Sequence, residues 1–216
     1  MRVTIAIIAK APEPGRVKTR LCPPCTPDDA ARIATAALAD TIGVVRLTRC
    51  ARRVVALDGT PEPEIHGDLE VIQQRGAGLD ERLAALFDDL GGPALVIAMD
   101  TPQVTPTLLE DGVAQLRAGA DAVLGRALDG GYWAIGLQRP DAECFLGVPM
   151  HSASTGATQL DRLRARHLAV SSLPTLRDVD TFDDALAVAV DVPGSRFANA
   201  VAAAERRHEL DDEEAM

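Results

Sequence analysis

Two short runs of this chain, Val3-Thr4-Ile5-Ala6-Ile7-Ile8-Ala9 and Ala94-Leu95-Val96-Ile97-Ala98, carry apolar side chains at consecutive rather than alternate positions. A strand built this way has no face to offer to water, so its sheet must be covered on both sides. Further strand-like runs fall at residues 53–57, 69–72, 120–124, 132–137 and 173–176. Helical patterns lie between them. One covers residues 29–45 behind Thr26-Pro27, a second 79–90, a third begins at Thr105-Pro106, and a fourth covers 155–166. A last, alanine-rich helix opens at Thr181-Phe182-Asp183-Asp184, a capping-box pattern. This alternation predicts an α/β fold with a mostly parallel sheet, in which ligands bind beyond the carboxyl ends of the strands. The polar residues to single out lie at such ends. Lys10 to Arg20 follow the first strand, Asp100 the fourth, and Asp178-Val179-Asp180 the run 173–176.

At 216 residues and 22.8 kDa the chain can bury one substantial core, and a single domain over residues 1–207 is expected. Glu209, Asp211, Asp212, Glu213 and Glu214 crowd the end, so residues 208–216 read as an acidic, disordered tail. No apolar stretch approaches the roughly 20 residues that cross a bilayer, and the N-terminus lacks a secretory cleavage pattern. The expectation is a cytoplasmic protein without a membrane partner. A net charge of −10 argues against nucleic acid, which needs a basic face. Four cysteines make no disulfide framework; Cys22-Pro23-Pro24-Cys25 reads as a pair of reduced thiols, without a second pair to complete a zinc site.

In so acidic a chain, the segment Lys10-Ala11-Pro12-Glu13-Pro14-Gly15-Arg16-Val17-Lys18-Thr19-Arg20-Leu21 stands out. Its cations can neutralise a di- or triphosphate, the prolines stiffen the turn, and Gly15 lets backbone approach phosphate. It is not a Walker A loop, because no glycine stands immediately before Lys18. Magnesium takes oxygen ligands. Asp100 ends an apolar strand, and Asp178 and Asp180, two apart, point to one side of an extended segment. Each also has a structural reading, Asp100 as a turn former and Asp180 as a helix cap. Asp129-Gly130-Gly131-Tyr132-Trp133 holds the only Tyr and the only Trp, and reads equally as a hairpin turn or as a pocket wall. Gly76, beside Gly78, either contacts nucleotide or connects strand to helix. His66, His151, His167 and His208 form no nucleophilic triad. His151, Ser152 and Ser154 form a polar loop that can face an acceptor or simply solvent.

The first motif, together with Asp100-Thr101-Pro102, Gly125 with Asp129-Gly130-Gly131-Tyr132, and Asp178-Val179-Asp180-Thr181, resembles the DUF2064 family, also described as radical-SAM/selenodomain-associated transferase 1. That family belongs to the GT-A-like nucleotide-diphospho-sugar transferase superfamily. The order of elements is also similar to that of the phospholactate guanylyltransferases. The resemblance runs from about residue 3 to about 190 and implies a Rossmann-like three-layer α/β/α sandwich. It further implies that Ala9, Lys10, Gly15, Lys18, Arg20 and Gly76 bind nucleotide and phosphate, and that Lys18 and Asp100 are catalytic. Asp100, Asp178 and Asp180 would hold Mg2+ or Mn2+, and Asp129, Gly130, Gly131, Tyr132 and Ser152 would face the acceptor. Ala98, Asp80 and Met150 depart from the Gly, Gly and Trp common in that family.

The expected activity is transfer of a nucleotidyl group from a nucleoside triphosphate to a small phosphorylated or acidic acceptor, with pyrophosphate leaving. Glycosyl transfer from a nucleotide-diphospho-sugar is the alternative, and nucleotide binding without turnover the second. The base, the acceptor and the oligomeric state are not legible in the sequence.

Overall fold

The computed structural model describes residues 2–61, 66–150 and 152–214, so His151 lies outside the described residues. In chain order the elements are β1 (Thr4–Lys10), α1 (Pro27–Leu47), β2 (Arg52–Asp58), β3 (Glu70–Gln73), α2 (Leu79–Leu90), β4 (Ala94–Ala98), α3 (Pro106–Arg117), β5 (Ala122–Ala127), β6 (Tyr132–Leu137), α4 (Thr155–Ala165), β7 (Val170–Leu176), α5 (Phe182–Asp191) and α6 (Arg196–Glu214). The strands form one seven-stranded sheet in the order β3-β2-β1-β4-β6-β5-β7. Only β6 runs antiparallel to its neighbours. No helix among the described residues is long and apolar enough to cross a membrane.

The consecutive apolar residues of β1 serve two cores. Ile5, Ile7 and Ala9 join Leu38, Ile42, Val113 and Leu116, contributed by α1 and α3. Ala6 faces the other way and joins Leu83, Phe87 and Leu163, contributed by α2 and α4. Two covered faces are what the absence of alternation requires. Trp133 is 1% exposed and donates its indole N–H to the Pro174 carbonyl at 3.0 Å. It packs where a Cβ on Gly125 would stand, so it belongs to the core while also lining the cavity described below.

A third core lies outside the sheet, where Leu21 and Ile33 meet Val179, Val188, Phe197 and Val201 of the C-terminal segment. The expected single C-terminal helix is two, because Pro193 and Gly194, with φ +78°, break it. The second of these, α6, runs from Arg196 through Glu214, built from the strong helix formers Ala, Glu, Arg and Leu. Inside it, Arg207 pairs with Asp29, which is 4% exposed and closes the capping box of α1 with Thr26. Burial pushes the Asp29 carboxyl up, but Thr26 and Arg207 outweigh it and leave its pKa lowered. The linkage therefore adds stability above the ordinary carboxylate range and loses it as pH falls through the lowered value. Arg207→Met is expected to cost about 2 kcal/mol, because it leaves a buried charge with its cap partner and only the exposed Arg32, 3.5 Å away, as a cation. Urea denaturation at pH 7 measures this, and the gap to wild type should close in acid.

Candidate active site

Chain order leaves β1 in both directions, toward β2 on one side and β4 on the other, and a crevice opens between the two carboxyl ends. Ile8 of β1 pairs with Ala98 of β4, so Lys10 and Asp100 emerge side by side. The Lys10 amide donates to Met99 Sδ at 3.3 Å. Because β6 is antiparallel, β5 and β7 end at this same edge, and they deliver Asp129 and Asp178 to it. A cavity of about 680 Å³ results.

The loop after β1 reaches across this cavity. Lys18 Nζ donates to Asp100 Oδ2 at 2.6 Å and to Asp180 Oδ1 at 3.1 Å. Arg20 Nη1 donates to Asp180 Oδ2 at 2.9 Å. Burial opposes the charge on Lys18, but Asp100 and Asp180 prevail and leave its pKa raised. The reach depends on a left-handed backbone at Lys18, φ 47° and ψ 41°, at the start of a 3-10 turn over Thr19–Leu21. Leu21, fully buried, anchors that turn in the third core.

On the acidic side, Val179 is 2% exposed and its amide donates to the Asp100 carbonyl at 3.0 Å. With Val179 turned inward, Asp178 and Asp180 both face the cavity. Asp180 does not cap α5: Thr181 is the cap and Asp184 its reciprocal partner. Asp129, Asp178 and Asp180 each bring one carboxylate oxygen within 4.8 Å of the others. Three converging oxygen donors suit a hard divalent cation. Asp100 stands beside this trio, held by Lys18, rather than within it. Burial, then the charges of Asp129 and Asp100, push the Asp178 pKa from 3.8 to about 6.

This raised value carries a sign. Its contribution to folding is fully present below pH 3.8 and is lost as pH rises through 6. The shift corresponds to about 3 kcal/mol at full effect, or about 1–2 kcal/mol once screening at a partly exposed carboxyl is counted. Asp178→Asn is therefore expected to stabilise the metal-free protein by that amount above pH 7, with the gain vanishing below pH 4. Denaturation with a chelator present, across this pH range, checks it.

Of the residues singled out from sequence, Lys10, Lys18, Arg20, Asp100, Asp129, Gly131, Tyr132, Ser152, Asp178 and Asp180 line the cavity. Ala9, Gly15, Gly76 and Gly130 do not. The Ala9 carbonyl accepts from Gln74 Nε2 at 2.7 Å. Gly76 packs against the start of α2, with φ +124°. Gly130 packs against the Ala153 carbonyl, and its own carbonyl accepts from the Gly156 amide at 2.7 Å. Sequence reasoning missed Asp129 as a member of the acid trio, although it follows an apolar strand just as Asp100 does. It also missed Leu79 and Thr155 as lining residues. Tyr132 is partly buried, and that burial pushes its pKa well up, with its hydroxyl 3.8 Å from Met150 Sδ and 3.4 Å from Gln159 Oε1. The thiols are poor nucleophiles, since burial raises Cys25 to about 11 and Cys144 to about 12, and all four cysteines are free.

Among solved structures, a protein of Desulfovibrio desulfuricans G20 assigned by name to the nucleotide-diphospho-sugar transferases is similar over 96% of this chain and 97% of its own, with a TM-score of 0.82 and 24% identity. CMP:2-keto-3-deoxy-manno-octonic acid synthetase, solved with CTP, is similar over 99% of this chain and 100% of its own, at 0.55 and 13%. Rv0371C of Mycobacterium tuberculosis H37Rv, solved with manganese, is similar over 87% of this chain and 97% of its own, at 0.54 and 19%. These likenesses establish the fold. No curated protein matches the sequence. The model of a family described as uncharacterized proteins conserved in bacteria matches residues 37–152, more than half of the chain, and with the shared fold this places the protein in the DUF2064 family.

Proposed function

We propose that this protein is a divalent-metal-dependent transferase that uses an activated nucleotide, moving a nucleotidyl group from a nucleoside triphosphate to a small acceptor with release of pyrophosphate. One observation carries the reading: the cationic loop after β1 and acids from three other strand ends converge on one cavity, with Lys18 bridging Asp100 and Asp180. The fold shared with a CTP-bound synthetase supports the choice of a triphosphate donor.

In this reading Lys10, Arg16, Lys18 and Arg20, all lining the cavity, neutralise the polyphosphate. Asp129, Asp178 and Asp180 would hold the ion, Mg2+ or Mn2+, which when bound supplies positive charge against the phosphate oxygens. Asp100 orients Lys18. Tyr132, Ser152 and Met150 form the wall that an acceptor would meet. The Desulfovibrio protein's name favours a second reading, glycosyl transfer from a nucleotide sugar.

Incubation with a panel of nucleoside triphosphates and nucleotide sugars, with phosphorylated and acidic acceptors and Mn2+, separates the readings. Acceptor-dependent pyrophosphate release is expected. Release of a nucleoside diphosphate from a nucleotide sugar would replace it with the glycosyl reading. Binding of neither donor would overturn both.

A further inference from the structure

Lys18 is an unusual companion for a metal site. Its ammonium is not turned outward to await phosphate but lies between two carboxylates, 2.6 Å from Asp100 and 3.1 Å from Asp180, with the side chain only 12% exposed. Its backbone is left-handed, a conformation that disfavours lysine and that this loop nevertheless holds. Asp180 is shared. One of its oxygens accepts from Lys18, and it also belongs to the trio with Asp129 and Asp178.

The arrangement has the outline of a two-ion phosphoryl-transfer centre, in which two divalent cations sit roughly 3.5–4 Å apart and act on both sides of the displacement. Here one cation place is outlined by Asp129, Asp178 and Asp180, while the other, between Asp100 and Asp180, already holds a positive charge that belongs to the chain. We propose that Lys18 is a tethered cation standing in for a second divalent ion, so that the acid cluster takes one metal ion per chain rather than two. This rests on the metal-dependent reading above and deepens it.

Charge and donor inventory agree. One divalent ion together with Lys18 and Arg20 balances the four carboxylates Asp100, Asp129, Asp178 and Asp180. An ammonium has three N–H donors. Two are engaged by Asp100 and Asp180, and the third remains for a phosphate oxygen, the contact a second ion would make. A lysine fixed in this way needs no recruitment of a second ion from solution.

Binding of Mn2+ alone, counted by calorimetry and by metal analysis after equilibrium dialysis, tests the proposal. Wild type is expected to take one ion per chain. Lys18→Asn, short, neutral and tolerant of the left-handed backbone, is expected to take two, and Lys18→Gly is the second variant should the first not fold. Adding Asp100→Asn to Lys18→Asn should restore one, and Lys18→Arg should keep one. Two ions on wild type, or one on both Lys18→Asn and Lys18→Gly, overturns the proposal while leaving the metal reading standing. No Mn2+ on any of these proteins overturns both.

Discussion

Asp180→Asn is expected to lower turnover about a thousandfold, the scale seen when a preorganised charge at a reacting phosphate is lost. Among the described residues Asp180 alone serves both halves of the site: it accepts from Lys18 and Arg20 and also completes the trio with Asp129 and Asp178. The amide keeps the shape and removes the charge. Lys18 keeps Asp100, so the loop stays in place, and stability should move by less than about 1 kcal/mol because these ion pairs are partly exposed. Pyrophosphate release under saturating donor, set beside urea denaturation, gives both readings from one preparation. Full activity in a folded Asp180→Asn protein would remove Asp180 from the machinery.

Gly130→Ala is the substitution expected to damage the fold most among those at the site's edge. Gly130 has φ +93°, and a Cβ there would land on the Ala153 carbonyl. Either the turn or the loop beyond Met150 must move, and the bond from the Gly156 amide to the Gly130 carbonyl goes with it. A loss of about 3 kcal/mol is expected, which in a chain of this length lowers Tm by about 6–12 °C. The cavity wall at Ser152 shifts too, so activity should fall further than stability accounts for. Gly43→Ala is the control. It lies in α1 with open space around its Cβ position, and should be neutral or stabilising by up to about 1 kcal/mol.

Much of this architecture can be read from local pattern. The bounds of α2, β4 and β6 follow from runs of apolar residues, and Thr26, Thr105 and Thr181 cap helices as their sequence contexts predict. The mostly parallel sheet follows from β1 and β4, where apolar side chains run consecutively rather than alternately. The gathering of Lys18, Asp100, Asp178 and Asp180 at one edge follows from the carboxyl-end rule. What stays hidden has a nonlocal cause. That Asp129 joins the acids depends on β6 reversing direction between β4 and β5, which no short window reveals. The glycines at 76 and 130 read as ligand-facing in sequence, and their close packing against Glu81 and Ala153 is set by contacts that no short window reveals. The clasp between Asp29 and Arg207 joins residues near opposite ends of the chain.

The third core also says when this protein can begin to work. Leu21, the far anchor of the cationic loop, has its pocket completed by Val188, Phe197 and Val201, while Asp178 and Asp180 arrive only after β7. A nascent chain without α5 and α6 would carry the cationic loop without the floor that holds it. Competence thus waits for α6, and a ribosome stalled before that helix would display a half-built and silent crevice.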